Sequence, residues 1–195
     1  KQLLKASLFF TIAVQIKLIP LLFVPFFLRY LNWKKWITFG TLIVVFNLFL
    51  FFLFIDASTL PNFIESLRLY FKTFEFNSIL LYPYLLYGEW QYGWNLTNLY
   101  SPRLAYWSLF ILCSIAFYGG PINFKTLLHR CVMAAVIYLI FTSTVHPWYC
   151  ILALGLSVMQ PSITVIVAGG LTFLSYGTYT FGQDSDFRLL LMISN

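Results

Sequence analysis

Negative charge is what this sequence has least of. Six Asp and Glu stand against twelve Lys and Arg in 195 residues, and all charged residues together make up 9% of the chain, where a soluble domain carries roughly 25%. An ordinary soluble globule is thereby excluded. Cysteine is scarce too: Cys113, Cys131 and Cys150 have no metal-ligand spacing and sit in apolar surroundings, so they read as packing residues. The sequence contains no nucleotide-phosphate loop, no metal-ligand cluster, no internal repeat and no low-complexity stretch. The formal charge of +6 does not point to nucleic acid, because the basic residues are scattered at the ends of apolar runs. They read as membrane topology signals.

What the chain has in abundance is apolar length. Hydrophobic residues make up 61% of it and the mean hydropathy is +0.83. Runs rich in Leu, Ile and Phe are long enough to cross roughly 30 Å of hydrocarbon at about 1.5 Å per residue, which favours helices over a barrel. The expectation is an all-α, polytopic transmembrane helical bundle of about six spans or re-entrant segments. Residues 1–195 would form a single transmembrane domain with membrane lipids as its surroundings.

The first run, Ala6 to Leu28, carries Lys17, Pro20 and Pro25. A lysine near mid-bilayer costs about 3 kcal/mol unless it snorkels, pairs or faces a wet cavity, and the prolines predict a kink or break. A single kinked span is the default expectation, with a re-entrant pair of short helices as the alternative. The second run, Trp36 to Ile55, is a plain transmembrane helix. Lys34 and Lys35 before it and Asp56 after it put its start in the cytoplasm and its end outside.

Residues 56–103 then read as an extracytoplasmic loop, holding Asp56, Glu65, Glu75 and Glu89. From Pro61 to Glu75 the apolar positions fall on one helical face, which predicts an amphipathic helix in the membrane interface, with Asn62 and Glu65 at capping-box spacing. The aromatics of Tyr82-Pro83-Tyr84 and Gly88-Glu89-Trp90-Gln91-Tyr92-Gly93-Trp94 read either as an interfacial belt or as a surface for sugars, which pack C–H faces on rings and need directed hydrogen bonds. Asn95-Leu96-Thr97 has the form of a glycosylation acceptor.

Further runs follow at Leu104–Tyr118, Leu127–Val145, Trp148–Met159 and Ile163–Phe181. Counting sides from Asp56 places His146 on the same face of the membrane as the Glu75 loop. Pro147 suits the first position of a helix, which makes His146 its N-cap. That helix end would present its positive dipole to the outer face, where a phosphate could bind, with the imidazole and Tyr149 hydroxyl beside it. The helix after it would span only about 18 Å.

Three elements in this order resemble those of one family. Lys17-Leu18-Ile19-Pro20, Phe74-Glu75-Phe76-Asn77-Ser78 and His146-Pro147-Trp148-Tyr149 are similar to the K-x-x-P, F-E-F-N-[AS] and H/N-P-W-Y elements of bacterial glycosyltransferases of the GT-C class, in particular the polyprenyl-phosphate-mannose-dependent mannosyltransferases. The resemblance implies a multi-pass enzyme of the bacterial inner membrane. Its donor would be a polyprenyl-phosphate hexose, mannose being the first expectation, and its acceptor a lipid-linked glycan or glycolipid on the outer face. Glu75 and Asn77 would line the sugar or acceptor pocket, His146 and Tyr149 would lie near the donor phosphate, and Lys17 would face a cavity. The family's catalytic base belongs to a loop expected upstream of Lys1, so the chain is expected to be a C-terminal part; its start without Met and the renewed apolar run at Phe187–Met192 agree. Around Leu80–Tyr84 the chain departs from the family pattern. No cofactor is evident, a nucleotide-sugar donor is disfavoured, and a metal held elsewhere in the enzyme is left open. The competing readings are a transporter or flippase for lipid-linked sugars and a silent scaffold subunit.

Overall fold

The computed structural model describes residues 2–56, 58–69 and 74–173. Among them the chain forms nine α-helices: α1 (Gln2–Ile16), α2 (Val24–Tyr30), α3 (Trp33–Phe54), α4 (Thr59–Arg68), α5 (Leu81–Tyr92), α6 (Thr97–Phe117), α7 (Phe124–Phe141), α8 (Cys150–Met159) and α9 (Ile163–Thr172). Short 3-10 turns at Ile19–Phe23 and Pro147–Tyr149 precede α2 and α8. The only strand-like pairing among the described residues is one parallel bridge, between Phe76 and Thr144. The fold class is therefore all-α. Two helices, α3 and α7, are long and apolar enough to cross a membrane. Helix α6 has 21 residues, but its first two turns carry Thr97, Asn98, Ser101, Pro102 and Arg103. The rest of the final run, to Phe181, and the polar segment Gln183-Asp184-Ser185-Asp186 lie outside the described residues.

Two compact units divide the chain. The first draws on Lys1–Ser66 and Leu109–Ala134, the second on Leu67–Ser108 and Ala135–Asn195.

In the first unit the run expected by default as one kinked span is instead a pair of short helices that doubles back, nearer to the alternative expectation. Helix α1 stops at Ile16, and Pro20 and Pro25 each take the second position of a new helical segment, where a missing N–H leaves no hydrogen bond unmade. They start helices and do not bend one. Phe10, Phe27 and Phe39 meet edge to face at centroid distances of 5.7, 5.6 and 5.3 Å. In one continuous helix, Phe10 and Phe27 would stand roughly 25 Å apart. Gln15 Nε2 donates to Asn47 Oδ1 at 2.9 Å. Contacts from α1 to α3 thus advance along both helices together, so α1 and α3 run in the same direction and residues 19–30 return the chain to the level where α3 begins. Lys17 stands half-buried at the tip of this hairpin. Trp36 Nε1 donates to the Val24 carbonyl at 3.0 Å and fastens the returning arm.

The ends of the helices here are closed by side chains. Asn32 Oδ1 accepts from the Lys35 N–H at 2.9 Å, and Asn123 Oδ1 from the Thr126 N–H at 2.8 Å, capping α3 and α7. The last carbonyls of α6 receive two guanidinium groups. Arg29 Nε donates to Ala116 O at 3.4 Å and its Nη2 to Phe117 O, while Arg130 donates to Ile115 O at 3.2 Å and Tyr118 O at 3.3 Å. Positive charge at a helix C-terminus also opposes the macrodipole favourably. The Ile122 N–H donates to Arg29 O at 3.0 Å, and the Tyr30 and Phe124 rings approach to 6.1 Å.

Helix α4 begins at Thr59, two residues before the expected Pro61, and buries none of its residues. Asn62 lies inside it, its N–H bonded to Ser58 O, so the capping-box expectation at Asn62 and Glu65 is not met. Asp56 caps instead: its Oδ1 accepts from the N–H and hydroxyl of both Ser58 and Thr59 at 2.7–2.9 Å, and its own N–H donates to Thr59 Oγ1 at 3.0 Å. The segment between Asp56 and Ser58 and residues 70–73, where the expected helix would have continued, are not described.

Cysteines replacing Phe10 and Phe27, in a chain whose native cysteines are changed to serine, should be joined efficiently by a short bifunctional thiol reagent; absence of the link would restore the single span. The hydrogen bonds at Asp56, those from the Ser58 and Thr59 side chains first, lower its pKa from 3.8 to about 2. Because the folded-state value is depressed, the cap's stabilisation is complete above pH 3.8 and lost as pH falls through about 2. Protection of the Ser58 and Thr59 amides, taken relative to the intrinsic exchange rate at each pH, should hold at pH 5 and fall at pH 2; equal protection at both would show that the carboxylate does not hold the cap.

Candidate functional site

The second unit contains four of the five residues singled out by sequence: Glu75, Asn77, His146 and Tyr149. Lys17 belongs to the first unit.

The site begins where α7 ends. Residues Ser143, Thr144 and Val145 have left the helix and are buried, and a buried backbone group without a partner costs about as much as a lost hydrogen bond. Their partner is Phe76. Its N–H donates to Ser143 O at 3.0 Å, its carbonyl accepts from the Val145 N–H at 2.8 Å, and Thr144 Oγ1 donates to Phe74 O at 3.3 Å. The loop containing Glu75 and the segment before Pro147, expected from the basic flanks to share one face of the membrane, are here in direct hydrogen-bonded contact.

Extended backbone sends alternate side chains to opposite sides, and Phe74-Glu75-Phe76 does so. Phe76 stacks on the His146 imidazole with centroids 4.8 Å apart, and Phe74 lies at 6.0 Å. Trp148 stacks on the same imidazole at 4.3 Å with planes 11° apart, and Tyr149 meets it edge-on at 5.4 Å. His146 thus sits half-buried in a cluster of four aromatic rings. It holds the N-cap position of the Pro147–Tyr149 turn by its extended backbone, but its side chain makes no capping hydrogen bond.

Glu75 points the other way, to the start of α6. Its Oε2 accepts from Thr97 Oγ1 at 2.8 Å and its Oε1 from Asn95 Nδ2 at 3.4 Å. Asn95 Oδ1 accepts from the Thr97 N–H at 2.7 Å, closing a turn that caps the helix. A carboxylate at the positive end of α6 is stabilised by the macrodipole as well as by these donors. Glu75 and the His146 imidazole therefore occupy opposite sides of one short extended segment. Asn77 follows with a φ of 51°, a left-handed conformation that asparagine tolerates better than most residues. It ends the alternation and turns the chain toward buried Ser78.

Helix α5 supports the α6 side. The aromatic stretch and the Gly88–Trp94 segment, expected as loop, form one helix from Leu81 to Tyr92, stopped by Gly93 at φ 71°. Leu81, Leu85 and Leu104 form its core with Tyr100 and Phe141 packed around them. Gly88 lies so close to the following chain that a Cβ there would stand 2.6 Å from Leu96 Cγ. Tyr84 stacks on Tyr100 at 4.4 Å, with the Arg103 guanidinium 5.6 Å over the Tyr100 ring. The hydrogen bond it shares with Tyr92 raises the pKa of Tyr87. Trp90 and Trp94 are exposed. At the far end, α8 and α9 pack together through Gly169 against Leu154, and Cys150 Sγ lies 3.3 Å from Thr172 Oγ1. The described residues contain no group of His, Cys, Asp and Glu able to hold a metal ion.

Sequence reasoning singled out His146 and Glu75 but not the groups that hold them. Phe76 and Trp148 had a signal, since F-E-F has the period of a strand. Asn95 and Thr97 had one as well: an Asn two positions before a helix is a capping pattern, although the same three residues first suggest a glycosylation acceptor. The chain matches no protein-family model, no curated protein and no solved structure.

Phe76→Ala keeps the backbone bridge but removes one ring of the cluster. It should destabilise the protein by about 2 kcal/mol and speed the reaction of His146 with diethyl pyrocarbonate. An unchanged reaction rate would show that Phe76 does not cover the imidazole.

Proposed function

We propose that this chain is part of a multi-pass membrane glycosyltransferase of the GT-C class. It would transfer a hexose, mannose first, from a polyprenyl-phosphate donor to a lipid-linked glycan or glycolipid on the outer face of a bacterial inner membrane. In this reading the acceptor hydroxyl attacks the anomeric carbon, the bond from that carbon to the phosphate oxygen breaks, and polyprenyl phosphate leaves. The proton of the hydroxyl goes to a base supplied from outside this sequence.

The observation that carries the reading is the pairing of Phe76 with Ser143–Val145. Two motif elements nearly seventy residues apart are joined by main-chain hydrogen bonds into one locus, with an aromatic-packed imidazole on one side and a carboxylate on the other. His146 and Tyr149 suit the phosphate of the donor, as hydrogen-bond donors at the start of a short helix. Glu75 has unused acceptor capacity beyond Thr97 and Asn95 and suits sugar hydroxyls, with Asn77 next to it. Lys17 would face a cavity of the membrane domain. The concentration of four of these groups, all but Lys17, in one unit favours an enzyme over a transporter, which needs polar positions along a whole transmembrane path. The two spanning helices and the lipid-suited exposed faces of α3 support the multi-pass membrane setting.

In the full-length protein, assayed with radiolabelled polyprenyl-phosphate mannose, His146→Ala should lower transfer by about 100-fold and Glu75→Gln by about 10-fold, with membrane insertion intact. Wild-type rates in both variants would refute the assignment.

A further inference from the structure

The first unit carries a basic surface at the start of α3, while its acidic residues, Asp56 and Glu65, lie beyond the other end of that 22-residue helix. Residues 1–55 and 109–134 contain no Asp or Glu. The C-terminal ends of α2 and α6 and the starts of α3 and α7 are held together by the Ile122–Arg29 hydrogen bond, the Tyr30–Phe124 contact and the two guanidinium groups on the α6 carbonyls. Arg29 and Arg130 are set against the negative end of the α6 dipole. Lys34, Lys35 and Lys125 are not: they are exposed and lie in the first turns of α3 and α7, where the helix dipole is itself positive and a cation is unfavourable. Among the described residues only the Trp33 ring, 5.5 Å below Lys34 Nζ, faces one of them. In the adjoining loop the N–H groups of Gly119 and Gly120 make no protein hydrogen bond. Trp33 at 62% exposure, Tyr118 at 81% and Phe124 at 51% flank the lysines at the level where both spanning-length helices begin.

We propose that this surface binds anionic phospholipid headgroups of the adjoining leaflet, with Lys34, Lys35 and Lys125 taking the phosphodiester charge and the aromatic rings seated among the headgroups. Charge complementarity selects the occupant: three uncompensated cations at the mouth of two membrane-length apolar helices meet a negative surface there, and each such cation is attracted by it. The exposed apolar side of α3, with Ile37, Val44 and Leu48, gives the acyl chains a path. The surface does not depend on the sugar-transfer reading and lies in the unit that does not hold His146.

The test uses the full chain in detergent, offered equal amounts of phosphatidylglycerol and phosphatidylcholine, with bound lipid counted by native mass spectrometry. Wild type should retain phosphatidylglycerol about tenfold over phosphatidylcholine. The combined variant K34Q/K35Q/K125Q should lose that preference and K34R/K35R/K125R should keep it, while raised salt weakens it. Inorganic phosphate at the lipid concentration should leave the ratio unchanged. Equal retention of the two lipids by wild type, an undiminished preference in the glutamine variant, its loss in the arginine variant, or displacement by inorganic phosphate would each overturn the proposal.

Discussion

A backbone that leaves the helical state inside an apolar chain must find partners for its N–H and C=O groups, because hydrocarbon offers none. After α7 ends at Phe141, this chain runs non-helical and buried through Ser143, Thr144 and Val145, and Phe76 supplies the partners from the far side of a long loop. Most of the second unit's arrangement follows from that pairing. It fixes which side chains of the F-E-F segment face which way, so that the rings of Phe74 and Phe76 are given to His146 and the carboxylate of Glu75 to the start of α6. Sliding the register by one residue would exchange the two. The imidazole would then face a carboxylate, and two aromatic rings would lie against the polar cap of a helix.

The first unit meets the same requirement with side chains. Arg29 and Arg130 reach the last carbonyls of α6, Asn32 and Asn123 close the starts of α3 and α7, and Gln15 donates across two apolar helices to Asn47, whose own amide N–H bonds back to Ile43 O. Among the described residues, Thr11 Oγ1 is the one buried side-chain polar atom recorded without a partner. It lies on the buried face of α1 together with Ser7 and Val14. Small side chains there let α1 come close to its neighbours, and the orphaned hydroxyl is the cost of that closeness.

How much of this could be read from sequence depends on whether the deciding interaction was local. The span over Trp33–Phe54 and the short helix after Pro147 were legible because length, apolarity and proline position act within a few residues. A count of basic flanks also leads to the expectation that His146 and the F-E-F-N segment share one side of the membrane, and the structure joins the two by main-chain hydrogen bonds. The doubled-back α1 and α2 were not legible: a proline serves equally to bend a helix or to begin one, and only the meeting of Phe10 with Phe27 and Phe39 decides. Helix α5 was missed because Tyr82 to Gly93 has no clear apolar period; it is held by Leu81 and Leu85 against Leu104, a contact across nearly twenty residues. The cap of α4 was assigned to Asn62 by spacing, whereas Asp56 reaches four donors at once. In the site, residue types gave His146 and Glu75 but not the fact that they look away from each other, since that rests on the partner of Phe76.

The turn at Asn95-Leu96-Thr97 has a practical side. Both ends of the Asn95 amide are occupied, one by the Thr97 N–H and one by Glu75, while the tripeptide reads as an acceptor for glycan attachment in a secretory pathway. A eukaryotic production host that modifies nascent chains would reach this nitrogen before α6 and the Glu75 loop come together. The attached glycan would then occupy the place of the carboxylate, and the loop would lose its hold on the helix. Bacterial expression, which leaves both hydrogen bonds of the Asn95 amide in place, follows as the choice for preparing this protein.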